Sequence, residues 1–122
     1  MKTLKLIAIT LFTVTLSVNS FAQMHDHASM NMATTKTDTL KVSGNCGMCK
    51  TRIEKAAKID GVNKAEWNDE TKLLTLVYEP SKVKTDDVLK KIAAVGHDTE
   101  KFKADDKVYA KLPGCCQYDR LK

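Results

Sequence analysis

Four cysteines carry most of the chemistry available to this sequence, and they fall into two pairs of unlike spacing. Cys46-Gly-Met-Cys49 is a C-x-x-C, whereas Cys115 and Cys116 are adjacent. Adjacent cysteines bridge each other only with strain, so a plain disulfide framework is a poor reading of the set. Two thiolates three residues apart can converge on one ion, at about 2.3 Å each if it is zinc-like. Soft sulfur donors with no obvious hard ligand beside them favour Cu(I), with Zn(II) or another thiophilic ion such as Hg(II) behind it. The motif alone is also used by thioredoxin-like redox sites and disulfides, so thiol–disulfide exchange and an inert Cys46–Cys49 bridge both stay open. No second C-x-x-C exists to complete a structural four-sulfur zinc site.

The elements that must position these sulfurs can be read from periodicity. Leu40 and Val42 alternate with polar neighbours over Thr39–Ser43, and Gly44-Asn45 breaks the pattern, so a short strand delivers the C-x-x-C. From Cys49, the apolar positions Ile53, Ala56 and Ala57 recur at helical spacing until Asp60-Gly61. A thiol at a helix N-terminus gains help in ionising from the helix dipole and the free backbone N–H groups, and Cys49 stands there. Val62–Trp67 and Leu73–Tyr78 flank the polar stretch 68–72 and read as a hairpin. Thr85 is a candidate N-cap for a second helix carrying Val88, Ile92 and Val95 on one face and ending at Gly96. His97–Lys103 reads as a fourth strand. The order strand, helix, strand, strand, helix, strand is the α+β, ferredoxin-like βαββαβ arrangement, an antiparallel sheet with both helices on one face.

Other soft or borderline donors surround this frame. His97 lies in the turn after the second helix, which this topology returns beside the cysteine loop, where its imidazole faces either the metal or solvent. Met48 offers a thioether, as packing or as a third ligand. Met24, His25, His27, Met30 and Met32 suit both copper oxidation states, or belong to a neutral leader. Val108, Ala110 and Leu112 alternate over Lys107–Leu112, which fits a fifth, C-terminal edge strand hairpinned onto the fourth. Such a strand runs back toward the metal end, and Pro113-Gly114 then turns Cys115 and Cys116 toward Cys46 and Cys49. A strained Cys115–Cys116 disulfide or a loose end are the competing outcomes.

The N-terminal residues read as a secretory signal peptide over 1–22: Lys2 and Lys5, an apolar run from Leu6 to Val18, then Ser20-Phe21-Ala22 at the expected cleavage site. The run is too short to span a bilayer, so the mature chain is expected to be exported, periplasmic and not stably inserted in a membrane. Its removal lowers the formal charge from +5 to +3, since Lys2 and Lys5 go with it. Lysines and acids are interspersed over residues 50–111, with no arginine cluster among aromatics, which argues against nucleic acid as a partner. Residues 23–38, rich in Met, His, Thr and Asp, read as a disordered leader. A single domain over 39–104 and an extension over 105–122 with the adjacent cysteines complete the expected organisation.

Three separated segments, Thr39–Cys49, Ile59-Asp-Gly-Val62 and Ile92-Ala-Ala-Val-Gly-His97, resemble in order the heavy-metal-associated domains of copper chaperones and metal-transporting ATPases. The resemblance implies a ferredoxin-like fold, Cu(I) held by Cys46 and Cys49, and handover to a partner by ligand exchange, not catalysis. The partner so implied is a metal-transporting ATPase or another copper protein. A mercuric-ion periplasmic carrier shares this fold and the paired cysteines, and a metal-bridged dimer is compatible with both readings. One departure stands out: the family's motif usually has Met two residues before its first cysteine, and here that position is Gly44. The expected consequence is a looser metal loop, or compensation by Met48.

Overall fold

The computed structural model describes residues 34–120. The expected signal peptide and the leader's Met24, His25, His27, Met30 and Met32 lie outside the described residues. The elements are β1 (Lys36–Lys41), α1 (Gly47–Ala57), β2 (Val62–Asn68), β3 (Leu73–Tyr78), α2 (Thr85–Ala94), α3 (Asp106–Ala110) and a single 3-10 turn at Gly114–Cys116. The strands form an antiparallel sheet in the order β1-β3-β2. The first strand begins at Lys36, so residues expected to close the disordered leader are part of the sheet.

Period-two alternation puts Leu40, Ala65, Trp67, Leu74, Leu76 and Tyr78 on one buried face. The helices cover it with their own stripes. Cys49, Ile53 and Ala57 recur every four residues on α1, and Val88, Leu89 and Ile92 line α2. At the β2–β3 turn the Asn68 carboxamide oxygen accepts from the Glu70 and Thr71 backbone N–H groups, both at 2.9 Å. This Asx-type turn sets the hairpin. Gly96, at φ +103°, ends α2 in the left-handed region, where Leu112 packs so closely that an added Cβ would meet its Cδ2 at 3.0 Å.

Two expected strands take other forms. The fourth is reduced to one bridge, Val42 with Thr99, at the free edge of β1. Ser43 N–H donates to Asp98 O at 2.8 Å and Glu100 N–H to Lys41 O at 3.0 Å. The ladder stops because the chain closes on itself: Thr99 N–H donates to Phe102 O, while the Thr99 hydroxyl oxygen accepts from Phe102 N–H. Side-chain bonds of this kind compete with the sheet. Of the fifth strand expected over 107–112, residues 107–110 are instead helical, within α3. Asp105 caps them, its carboxylate accepting from Lys107 N–H at 2.8 Å, with Asp106 in the first turn. Val108 and Leu112, two apart twice over, are also four apart, and the cap decides between the two readings.

Candidate metal centre

The strand-to-helix loop sets the two motif cysteines in unlike surroundings. Cys46 is the N-cap of α1, with extended backbone angles of −141° and 177°. The backbone N–H groups of Cys49 and, less strongly, Met48 face its sulfur and lower its thiol to about 7. Cys49 lies one turn on, on the buried stripe of α1, and burial pushes its thiol up to about 11. The two sulfurs are 3.7 Å apart. One thiol is thus half ionised at neutral pH and accessible, and its partner is held protonated. Alkylation by iodoacetamide, followed by peptide mass spectrometry, is expected to mark Cys46 well before Cys49. Its rate should rise with pH and level off above about 7, since only the thiolate attacks.

Gly44 does not leave a hole. The Trp67 indole, fully buried, fills the space beside it: a Cβ at position 44 would meet Trp67 Cη2 at 2.9 Å and Cys49 Cβ at 3.1 Å. Trp67 Nε1 donates to Val42 O at 3.0 Å, which ties the ring to the end of the incoming strand. The expected compensation by Met48 does not occur, because Met48 is 54% exposed.

The C-terminal extension reaches the same place by an unexpected route. After α3 the chain turns at Pro113, and the 3-10 turn, with Cys116 N–H donating to Pro113 O at 2.8 Å, puts Cys116 Sγ 3.8 Å from Cys46 Sγ. Among the described residues, the ligand atoms of Cys46, Cys49 and Cys116 lie within 4.8 Å of one another. Cys116 is fully buried, and burial raises its thiol. Cys115 is exposed at the rim, its sulfur 3.9 Å from Cys116 Sγ and its thiol donating to Met48 Sδ at 3.6 Å. The four cysteines are all free thiols, which disposes of a Cys115–Cys116 bridge in this conformation.

A polar clamp pins the extension. Arg120 Nε and Nη2 donate to the two carboxylate oxygens of Asp98 at 2.9 and 2.8 Å. Ala104 N–H donates to Asp98 as well, at 2.7 Å. Tyr118 donates its hydroxyl proton to Gly96 O at 2.8 Å and accepts from Asp98 N–H at 2.7 Å. Burial alone would raise the Asp98 carboxyl, but Arg120 and the Ala104 N–H outweigh it and hold the carboxyl below its usual 3.8.

His97 belongs to this brace and is not among the residues whose ligand atoms gather within 4.8 Å of one another. It is fully buried, its Nδ1 donates to Ser43 O at 2.9 Å, and its ring stacks on Tyr118 at 5.6 Å between centroids. Burial lowers its pKa, which keeps it neutral, and the bond to Ser43 holds the cysteine loop against the turn after α2. Sequence reasoning passed over Arg52, whose guanidinium lies close enough to Cys116 to favour its thiolate. Its position, three residues after Cys49 on the helix, was the available signal. Trp67 was readable as core but not as the wall of the metal loop, because nothing local ties it to Gly44.

Known proteins resemble part of this chain. Residues 39–98 match the heavy-metal-associated domain family. The solved structure of a CopZ metallochaperone is 35% identical, with a TM-score of 0.51, and the alignment covers 52% of this chain and 98% of that one. Oxidized MerP from Ralstonia metallidurans CH34 is 29% identical with a TM-score of 0.52, over 55% of this chain and 96% of that one. A copper-exporting P-type ATPase of Staphylococcus saprophyticus is 39% identical over 67 residues, which is 8% of that protein's length. With the fold, the loop and three separated sequence segments in agreement, the chain belongs to the heavy-metal-associated domain family.

Proposed function

We propose that this protein is an extracytoplasmic carrier that holds Cu(I) between Cys46 and Cys49 and passes it to a copper-transporting ATPase or another copper protein by thiolate exchange. The observation that carries this reading is the pair of sulfurs 3.7 Å apart at the N-terminus of α1, one already acidic and accessible. Export is supported by the signal-like sequence over residues 1–22. The copper assignment rests on soft donors without a hard ligand and on the copper proteins among the relatives.

Capture starts at Cys46, whose thiolate forms the first sulfur–copper bond. Cys49 follows, its proton leaving to solvent as the second bond forms. No electron moves, and release reverses the order as an incoming thiolate displaces one sulfur at a time. A low-pKa thiol beside a second thiol also suits disulfide exchange, so the test must separate carrier from oxidoreductase.

Anaerobic competition of the full chain against a Cu(I) chelator is the direct measurement. Cys46→Ala and the double variant with Cys49→Ala are expected to weaken binding by about 100-fold or more, ~2.8 kcal/mol. Wild-type affinity in the double variant would overturn the assignment, and catalytic turnover in insulin reduction would transfer it to thiol–disulfide exchange.

A further inference from the structure

We propose that Cys116 is an intrachain third thiolate, which closes the Cys46/Cys49 pair into a trigonal Cu(I) centre with the Arg52 guanidinium as its counter-charge. The inference rests on the carrier reading and goes beyond it, since a two-cysteine loop needs nothing from residues 105–120. Geometry is the first support. With metal–sulfur bonds of ~2.3 Å, sulfurs facing each other across a linear ion stand roughly 4.6 Å apart, and those at the corners of a trigonal one about 4.0 Å. Cys46 lies 3.7 Å from Cys49 and 3.8 Å from Cys116, and all three sulfurs are within 4.8 Å of one another. The triad is spaced for a three-coordinate ion.

Burial and charge are the second support. Cys116 and Cys49 are fully buried while Cys46 is partly open, so a trigonal ion would be shielded on two sides and approachable on one. A Cu(I) ion with three thiolates carries two net negative charges, costly in a half-buried site without a cation. Arg52, three residues after Cys49 on α1, supplies one, and its Nη1 is buried with no hydrogen-bond partner among the described residues. The first-turn N–H groups of α1 add favourable dipole at Cys46. Cys115 Sγ lies 3.9 Å from Cys116 Sγ but falls outside the group of sulfurs that are all within 4.8 Å of one another, which leaves the centre three-sulfur rather than four.

The step balances as coordination chemistry. Three sulfur–copper bonds form, each remaining thiol proton goes to solvent, and copper stays Cu(I). Cys116 occupies the position that an incoming partner's thiolate must take, so the extension favours retention until a partner displaces it.

X-ray absorption of the Cu(I)-loaded full chain is expected to show three sulfur neighbours, falling to two in Cys116→Ser and staying at three in Cys115→Ser. Chelator competition should show Cys116→Ser binding about tenfold weaker, ~1.4 kcal/mol. Circular dichroism must confirm that the variant is folded, and Cys116→Ala serves as a second variant if the buried hydroxyl proves disruptive. Arg52→Gln should weaken binding more at low than at high ionic strength, with Arg52→Lys restoring it. Two sulfurs in the wild type, or unchanged affinity in a folded Cys116 variant, would sink the third-thiolate proposal. If Cys46→Ala at the same time abolishes binding, the carrier reading survives; if Cys46→Ala binds normally, the carrier reading itself fails.

Discussion

Trp67→Ala is expected to destabilise the protein by ~3–5 kcal/mol, the range for truncating a buried large aromatic. The side chain is 1% exposed and walls the metal loop at Gly44, so the loss has three parts. The apolar burial disappears, a cavity opens beneath the loop, and Val42 O loses the indole donor it accepts from at 3.0 Å. Gly44→Met is the complementary experiment. It restores the residue type usual in the family but drives a Cβ to 2.9 Å from Trp67, so it should destabilise too. Combining it with a smaller residue at 67 should recover part of the loss, because the two side chains compete for one space. Chemical denaturation of the four proteins tests this; additive penalties in the double variant would show that the two positions do not share a space.

Arg120→Ala is expected to cost ~3 kcal/mol, since it strands a carboxylate that is nearly buried. The pH dependence gives the sharper signature. In the wild type the Asp98 carboxyl sits below 3.8, so its stabilising contribution is present above that value and is lost as pH falls through the depressed one. Without Arg120, burial acts against fewer favourable partners, the carboxyl shifts upward, and protonation no longer removes a bidentate pair. Stability of the variant should therefore fall less steeply on acidification than that of the wild type. Equal slopes in the two proteins would mean that Asp98 is not what Arg120 holds.

The frame was legible because its signals are local. Val62–Trp67 and Leu73–Tyr78 are strands within a residue of where alternation placed them, and Thr85–Ala94 is the helix its apolar face announced. The proximity of Cys116 to the C-x-x-C was also anticipated, but through a strand that does not form. Helix and strand periods coincide at Val108 and Leu112, and only the Asp105 cap separates them. The fourth strand failed for a similar reason, since Thr99 bonds its own turn. His97 illustrates a different limit. Chain order put it near the cysteine loop, yet which way its ring faces depends on Tyr118 and Ser43, partners 21 and 54 residues away. Arg52 gave no local sign of a link to the tail, because the thiol whose ionisation it favours lies far along the chain.

Trp67 is the chain's single tryptophan, and its ring lies against Gly44, which is also flanked by Cys49 Cβ. Its near-ultraviolet emission is therefore an internal reporter placed at the loop, with no second fluorophore of its kind to dilute the signal. A change of sulfur geometry during loading or release alters the ring's immediate surroundings, whereas events at the far ends of the helices do not. Stopped-flow fluorescence of the unlabelled protein can thus time the arrival and departure of a metal ion that has no useful colour of its own.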